Sequence, residues 1–274
     1  KKKYLPPAAS GNILGAFSLS EPGAGSDISD LKTKAEPDPD GNYILNGTKA
    51  WVTGGGEADA VIIFARTAHP GGSKKLSAFI VDKDFPGFSV SKIENKMGLN
   101  SSLTAEIVLE NCRVPAENLL WKEGKGASIA LHCLDGSRIG IAAQSIGISQ
   151  RAIDEALAYS KQRQAFGKPI SSFQAIQFML ADCATRLEAA RLLTYQAAYL
   201  KDQGKPYTKE AAMAKLFASE AANKIVYDAL QIHGGYGYSR EFMIEQLYRD
   251  ARVLSIYEGT SEIQRMVIAR EMLK

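Results

Sequence analysis

Cysteine and histidine are scarce in this chain, with three of each, and neither set is grouped. Cys112, Cys133 and Cys183 are odd in number and widely spaced, which argues against a disulfide framework or a zinc cluster. They are expected to be buried as small apolar fillers. His69, His132 and His233 never fall at metal-ligand spacing, so no metal site is expected. An excess of one charge is also lacking. The 33 Lys+Arg and 30 Asp+Glu leave +3, without the concentrated basic face of a nucleic-acid binder. No run of ~18 apolar residues occurs, so no transmembrane helix is expected. No apolar core follows Lys1-Lys2-Lys3, so no secretory signal is read, and the sequons at Asn46 and Asn100 carry no glycosylation reading. What is present is globular: 45% hydrophobic residues over 274 positions, enough for one large or two medium domains.

The pattern changes near residue 122. Short β-type runs at Gly15–Ser20, Tyr43–Leu45, Ala60–Ala65, Leu76–Val81, Phe88–Ser91 and Glu106–Leu109 are separated by turn signals such as Pro37-Asp38-Pro39-Asp40-Gly41, Pro70-Gly71-Gly72 and Phe85-Pro86-Gly87. They predict an antiparallel barrel or sandwich, and with no helices between them a Rossmann sheet is not expected. From Gly126 the periodicity is helical. Ala127–Arg163 forms one predicted helix. Ser171-Ser172-Phe173-Gln174 reads as a capping box heading a second, to about Asp202. Its packing face is predicted at Ile176, Leu180, Ala184, Leu187, Arg191 and Tyr195. Thr208–His233 is a third helix, stopped by Gly234-Gly235, and Thr260 to Met272 a fourth. Four helices with short connections predict an antiparallel bundle.

Three segments carry candidate chemistry. The first, Phe17-Ser18-Leu19-Ser20-Glu21-Pro22-Gly23-Ala24-Gly25-Ser26-Asp27, is a strand end followed by small and hydroxyl residues. It suits hydrogen bonding to a flat heterocycle or a phosphate, and equally an ordinary strand-to-turn transition. In the second, Trp51-Val52-Thr53 offers a stacking face beside a hydroxyl, or a core tryptophan. The third runs Arg249-Asp250-Ala251-Arg252 to Ile256-Tyr257-Glu258-Gly259-Thr260-Ser261-Glu262-Ile263-Gln264-Arg265. Glu258, between an aromatic and a glycine, suits a general base, while its place before a helix equally suits a surface or capping glutamate. Apparent phosphate and dinucleotide loops at Gly41, Gly23 and Gly124 fail on spacing.

Taken together these segments resemble the acyl-CoA dehydrogenase family. Ser18–Asp27 is similar to its first signature, and Gln231-Ile232-His233-Gly234-Gly235-Tyr236-Gly237 with Arg249–Arg265 to its second. Leu45–Thr53 and Arg163-Gln164-Ala165-Phe166-Gly167-Lys168 resemble further blocks, and among members the short-chain (butyryl-CoA) and short/branched-chain enzymes are most similar. The resemblance implies an α+β multidomain chain. Residues 1–11 would be a linker from a missing helical domain, 12–122 a middle antiparallel β-barrel and 123–274 a C-terminal antiparallel four-helix bundle. It implies FAD-dependent α,β-dehydrogenation of short or branched acyl-CoA thioesters to trans-2-enoyl-CoA, with Glu258 as the base.

Residue by residue, Phe17, Leu19, Ser20, Trp51 and Thr53 match flavin contacts. Ser26 matches a contact to CoA or the FAD pyrophosphate. Asp135 and Arg138 match CoA contacts, and Tyr257 and Gly259 flank the base on the substrate side. Arg163, Phe166, Gln231 and Gly235 match residues that reach the FAD of a neighbouring subunit. Thr260 and Glu262 match positions closing on FAD, and Glu262 is often Gln elsewhere. Some relatives carry the base near Asp135–Arg138, where Gly136 and Ser137 here bear no carboxylate. A homodimer or homotetramer, electron-transferring flavoprotein as acceptor, and a mitochondrial matrix or bacterial cytoplasmic setting in fatty-acid or amino-acid breakdown are implied, with no nucleic acid and no membrane. The alternatives are a flavin oxidase or monooxygenase on the same fold, or a non-catalytic fragment that binds FAD weakly because one wall of the acyl pocket is missing.

Overall fold

The computed structural model describes residues 1–68 and 74–274, residue 74 by its backbone alone. His69 and the Pro70-Gly71-Gly72 separator lie outside the described residues. The chain divides into two compact units, the first of residues 1–96 and 100–132 and the second of 97–99 and 133–274.

The first unit opens with a short helix, α1 (Leu5–Ala9), in the span expected as linker. Its strands are β1 (Gly15–Ser18), β2 (Lys34–Pro37), β3 (Tyr43–Thr53), β4 (Ala60–Ala68), β5 (Lys74–Asp82), β6 (Phe88–Ile93) and β7 (Thr104–Val114). Their order is β1-β4-β2-β3-β7-β6, with β5 also paired to β4. The expected antiparallel barrel is therefore corrected. β1 and β2 run parallel to β4, so the sheet is mixed, and it does not close. Alternation shows which residues face a core but is blind to strand direction and partner. β4 is apolar on both sides because both are covered. Val61, Ile63 and Ala65 join the main core with Leu45, Phe79 and Ile107, while Phe64 packs with Ala78 and Ala130. Four-residue β2, ending in Pro37, gave no sequence signal.

The second unit is helical: most of α2 (Gly126–Gln162), then α3 (Gln174–Asp202), α4 (Thr208–His233), α5 (Met243–Ala251) and α6 (Ser261–Met272). Two two-residue strands, β8 (Gln164–Ala165) and β9 (Lys168–Pro169), make a hairpin before α3. α4 is the central element, packed by α3, α5 and α6, and its alanines at 211, 212, 214, 218 and 222 are buried. Three readings need correction. The capping box of Ser171 and Gln174 does not form: α3 starts at Gln174 itself, and Phe173 stands at the N-cap without a side-chain cap. The buried stripe of α3 is Cys183, Leu187, Ala190, Thr194 and Ala197, whereas Ala184 and Tyr195 are exposed. Cys133 is exposed, while Cys112 and Cys183 are buried.

Candidate functional site

In the first unit, the candidate flavin loop is tied to β3 by a buried ion pair. Lys49 Nζ lies 2.8 Å from Glu21 Oε1, with side chains 0% and 4% exposed. Lys49 also donates to the Leu19 carbonyl at 3.1 Å, and the Ala50 N–H donates to the Ser20 carbonyl at 3.0 Å. Burial pushes the Lys49 ammonium down to about 8, against the pull of Glu21. Burial raises Glu21, but the Lys32 backbone N–H, the Lys49 ammonium and the Thr33 N–H bring it below its usual range. Neither Glu21 nor Lys49 was singled out in the sequence. Two charged residues of opposite sign, one inside each of the blocks Ser18–Asp27 and Leu45–Thr53, were the available signal.

Just after Lys49 the β3–β7 register slips. At this bulge Trp51 adopts φ +59, and its side chain stands 62% exposed. A left-handed tryptophan is costly and marks a constrained position. The bulge turns a flat aromatic outward, with Thr53 exposed two residues on. Phe17 and Leu19 instead pack inward, Phe17 with its ring 4.9 Å from that of Phe64. Ser20 is half-buried and Ser26 exposed. Among the described residues the buried Ser18 hydroxyl has no partner.

In the second unit, Glu258 is half-buried at φ +54, followed by Gly259 at φ +89. Its Oε2 accepts a hydrogen bond from the Ser137 hydroxyl at 2.6 Å. The φ of +89 at residue 259 favours glycine, and a Cβ there would also come within 2.7 Å of Gln264 Nε2. Tyr257 donates to Gln144, and burial pushes its phenol up to about 12. Arg138 is buried and pairs with Asp135 at 2.6 Å, and Thr208 of α4 donates to the other Asp135 oxygen at 2.7 Å. Burial lowers the Arg138 guanidinium, while Asp135 and Glu258 oppose that shift. Among the described residues the buried Arg138 Nε has no partner. Thr260 caps α6, its hydroxyl accepting from the Ile263 N–H at 3.3 Å. Glu262 is exposed in the first turn, where its own backbone N–H, the Thr260 hydroxyl and nearby cations lower its carboxyl. Ser137, Gln144, Thr208, Lys215 and Gln264 were not picked out by sequence as site members, because each meets the site only through the fold.

A separate cleft of about 630 Å³ in the second unit is lined by Tyr159, Arg163, His233, Gly234, Gly235 and Tyr236 among others. His233 stacks on Tyr159 at 4.4 Å, with Nδ1 against the Ala229 carbonyl at 2.7 Å. The structure thus brings Arg163 and Gly235 together, while Gln231 and Phe166 stand outside that lining. Phe166 is 95% exposed at the β8–β9 tip, where φ of +52 and +79 at Phe166 and Gly167 make the hairpin turn.

These features fit a flavin dinucleotide. An outward indole and an unpartnered hydroxyl lie beside a small-residue loop, and a guanidinium and bare glycines line an open cleft. The comparisons agree. Residues 16–112 match the model of the acyl-CoA dehydrogenase middle domain and 124–273 that of the acyl-CoA dehydrogenase C-terminal domain. The chain is 55% identical to acryloyl-CoA reductase (NADH) of Anaerotignum propionicum, covering all of this chain and 70% of that protein. It is 51% identical to the mitochondrial short-chain specific acyl-CoA dehydrogenase of Rattus norvegicus, covering all of this chain and 66% of the relative. The structure of butyryl-CoA dehydrogenase from Megasphaera elsdenii superposes with TM-score 0.97 at 49% identity, over 100% of this chain and 71% of that one. The chain thus spans 66–71% of the length of these relatives. The acyl-CoA dehydrogenase of Bacillus anthracis, solved in complex with FAD, superposes with TM-score 0.95 at 38% identity over 100% of this chain and 50% of that one. By these matches this chain belongs to the acyl-CoA dehydrogenase family, flavoprotein oxidoreductases that use FAD.

Proposed function

We propose that this chain carries the base and flavin contacts of an enzyme that dehydrogenates short or branched acyl-CoA thioesters to trans-2-enoyl-CoA. The observation that carries this reading is Glu258, held at φ +54 with its carboxylate against the Ser137 hydroxyl at 2.6 Å. Glu258 takes the α-proton, which is weakly acidic beside a thioester and needs a placed carboxylate. The Glu258 N–H is a donor for the thioester carbonyl, where charge develops as the proton leaves. FAD, when bound, supplies the two-electron oxidant that takes the β-hydrogen with its electron pair. Trp51, Thr53 and Ser20 would hold the flavin ring, with the Phe17 and Leu19 side chains packed beneath the loop. Arg163 and Gly235, with Gln231 and Phe166, would take the pyrophosphate and adenosine of a neighbouring subunit's FAD, and Ser26 a phosphate. Arg138, braced by Asp135, would contact CoA. Thr260, whose hydroxyl accepts from the Ile263 N–H, and Glu262 in the first turn of α6 would close on the FAD.

A homodimer or homotetramer, an electron-transferring flavoprotein acceptor and a mitochondrial or bacterial cytoplasmic setting belong to the same proposal. The mitochondrial setting is supported by the relative from Rattus norvegicus, and the flavoprotein acceptor by a structural neighbour described as the electron transferring flavoprotein of Acidaminococcus fermentans. Butyryl-CoA added anaerobically should bleach the visible flavin band of the FAD-loaded protein. No bleaching with any acyl-CoA, despite bound FAD, refutes the reading. The acryloyl-CoA reductase (NADH) relative supports a second reading, net reduction of a short enoyl-CoA, in which protonated Glu258 returns the α-proton and FAD, when bound and reduced at the expense of NADH, would supply the β-hydride. Steady NADH consumption with a short enoyl-CoA, absent with butyryl-CoA and an acceptor, would favour it.

A further inference from the structure

Lys215 of α4 is wholly buried, and among the described residues no carboxylate pairs with its ammonium. Its Nζ donates instead to the carbonyl of Gly259 at 2.7 Å. A lone buried ammonium is costly, so its presence calls for a role that an apolar side chain would not fill. The local backbone supplies one. Glu258 and Gly259 are consecutive left-handed residues, at φ +54 and +89, and leave carbonyls in the interior that no helix or strand ladder satisfies. Gln264 of α6, itself fully buried, donates through Nε2 to the Glu258 carbonyl at 3.2 Å and the Gly259 carbonyl at 2.8 Å. Lys215 from α4 completes the hold on Gly259 from a different helix. The turn so fixed aims the Glu258 side chain at Ser137 on α2.

We propose that Lys215 is a positioning residue for Glu258: by donating to the Gly259 carbonyl together with Gln264, it locks the left-handed turn that presents the carboxylate. This rests on the reading of Glu258 as the base, and the test separates the two. Its charged surroundings are Glu258, Glu262 and Glu220, which attract the ammonium, and Arg138, which repels it.

The test uses the FAD-loaded protein with butyryl-CoA, activities being expressed per bound flavin, and three variants. Lys215→Met removes the donor and the charge at similar length. Lys215→Gln restores a neutral donor. Gln264→Met removes the second donor without touching a charge, and so decides the matter if Lys215→Met does not fold. Lys215→Met is expected to lower kcat about a hundredfold with KM little changed, as misplacing a reacting group does. Its unfolding midpoint is expected to be equal or higher, because the buried charge is gone. A purely structural lysine would show the reverse, lower stability with normal turnover. Lys215→Gln should recover most of kcat, and Gln264→Met should lower kcat in the same manner. Independently of activity, the carbonyl ¹³C resonance of Gly259 should shift in Lys215→Met. Unchanged kcat, an unmoved resonance, or loss of activity only in proportion to lost folded protein overturns the proposal. Glu258→Gln tests the base assignment by itself: full turnover there removes that reading, while the Gly259 resonance still reports whether Lys215 holds the turn.

Discussion

Removing one partner of the Glu21–Lys49 pair should be far more damaging than removing both. The Nζ–Oε1 distance is 2.8 Å and both side chains are essentially excluded from water. At an effective dielectric of ~20, such a separation corresponds to a gross attraction of about 6 kcal/mol. Burial still brings the ammonium down to about 8 from 10.5, so the charged lysine carries a net penalty of about 3 kcal/mol. Lys49→Met abolishes that penalty but leaves the Glu21 carboxylate buried with only the Lys32 and Thr33 N–H groups, at 2.5 and 3.0 Å. Breaking a buried pair in this way costs about 3–5 kcal/mol. It also strips the Leu19 carbonyl of its donor, loosening the candidate flavin loop from β3. Native-state hydrogen exchange of the β3–β7 amides reads the stability of the first unit directly. It should accelerate about 10²- to 10⁴-fold in Lys49→Met, and Glu21→Gln/Lys49→Met should recover at least half of the lost free energy. Acceleration under about tenfold in Lys49→Met, or a double variant worse than the single, would refute the argument that the pair is held by mutual compensation.

Three further outcomes follow from the same geometry. Trp51→Gly relieves a left-handed backbone at φ +59 on an exposed side chain, so the first unit should gain about 1 kcal/mol by urea unfolding while FAD affinity, read by flavin fluorescence, falls. Gly259→Ala places a Cβ 2.7 Å from Gln264 Nε2 at φ +89, and should cost about 1–3 kcal/mol and lower kcat more than it raises KM. Lys215 is held at about 8, below its unfolded value near 10.4, so the unfolded chain binds more protons between those limits and stability rises with pH there. Its penalty is full below pH 8, so urea unfolding followed by far-UV circular dichroism should show the second unit gaining about 3 kcal/mol from pH 8 to 10.4. Lys215→Met should lack most of that gain.

Much of the architecture was legible in the sequence because periodicity is local. Thr208–His233 was read end to end: its buried alanines recur at helical spacing, and Gly234, at φ +57, ends the helix. The strand positions of β1, β4, β5 and β6 followed from short apolar runs between turns. Nine-residue α5 and four-residue β2 are too short to show a period. The face of α3 was misjudged because the buried stripe uses Cys183, Ala190 and Thr194, small residues that do not stand out among its alanines.

By itself the sequence determined the division into a β half and a helical half and the family signatures, and Glu258 stood out as the candidate base only through the resemblance those signatures carry. Those are properties of residue order and neighbouring composition. The tertiary structure decided strand direction, the open mixed sheet, and the company Glu258 keeps. Ser137 reaches it across 121 residues of sequence, and Lys215 reaches Gly259 across 44. No local pattern encodes such meetings. They arise because left-handed turns and charges taken out of water must find partners wherever the packed helices bring donors within reach.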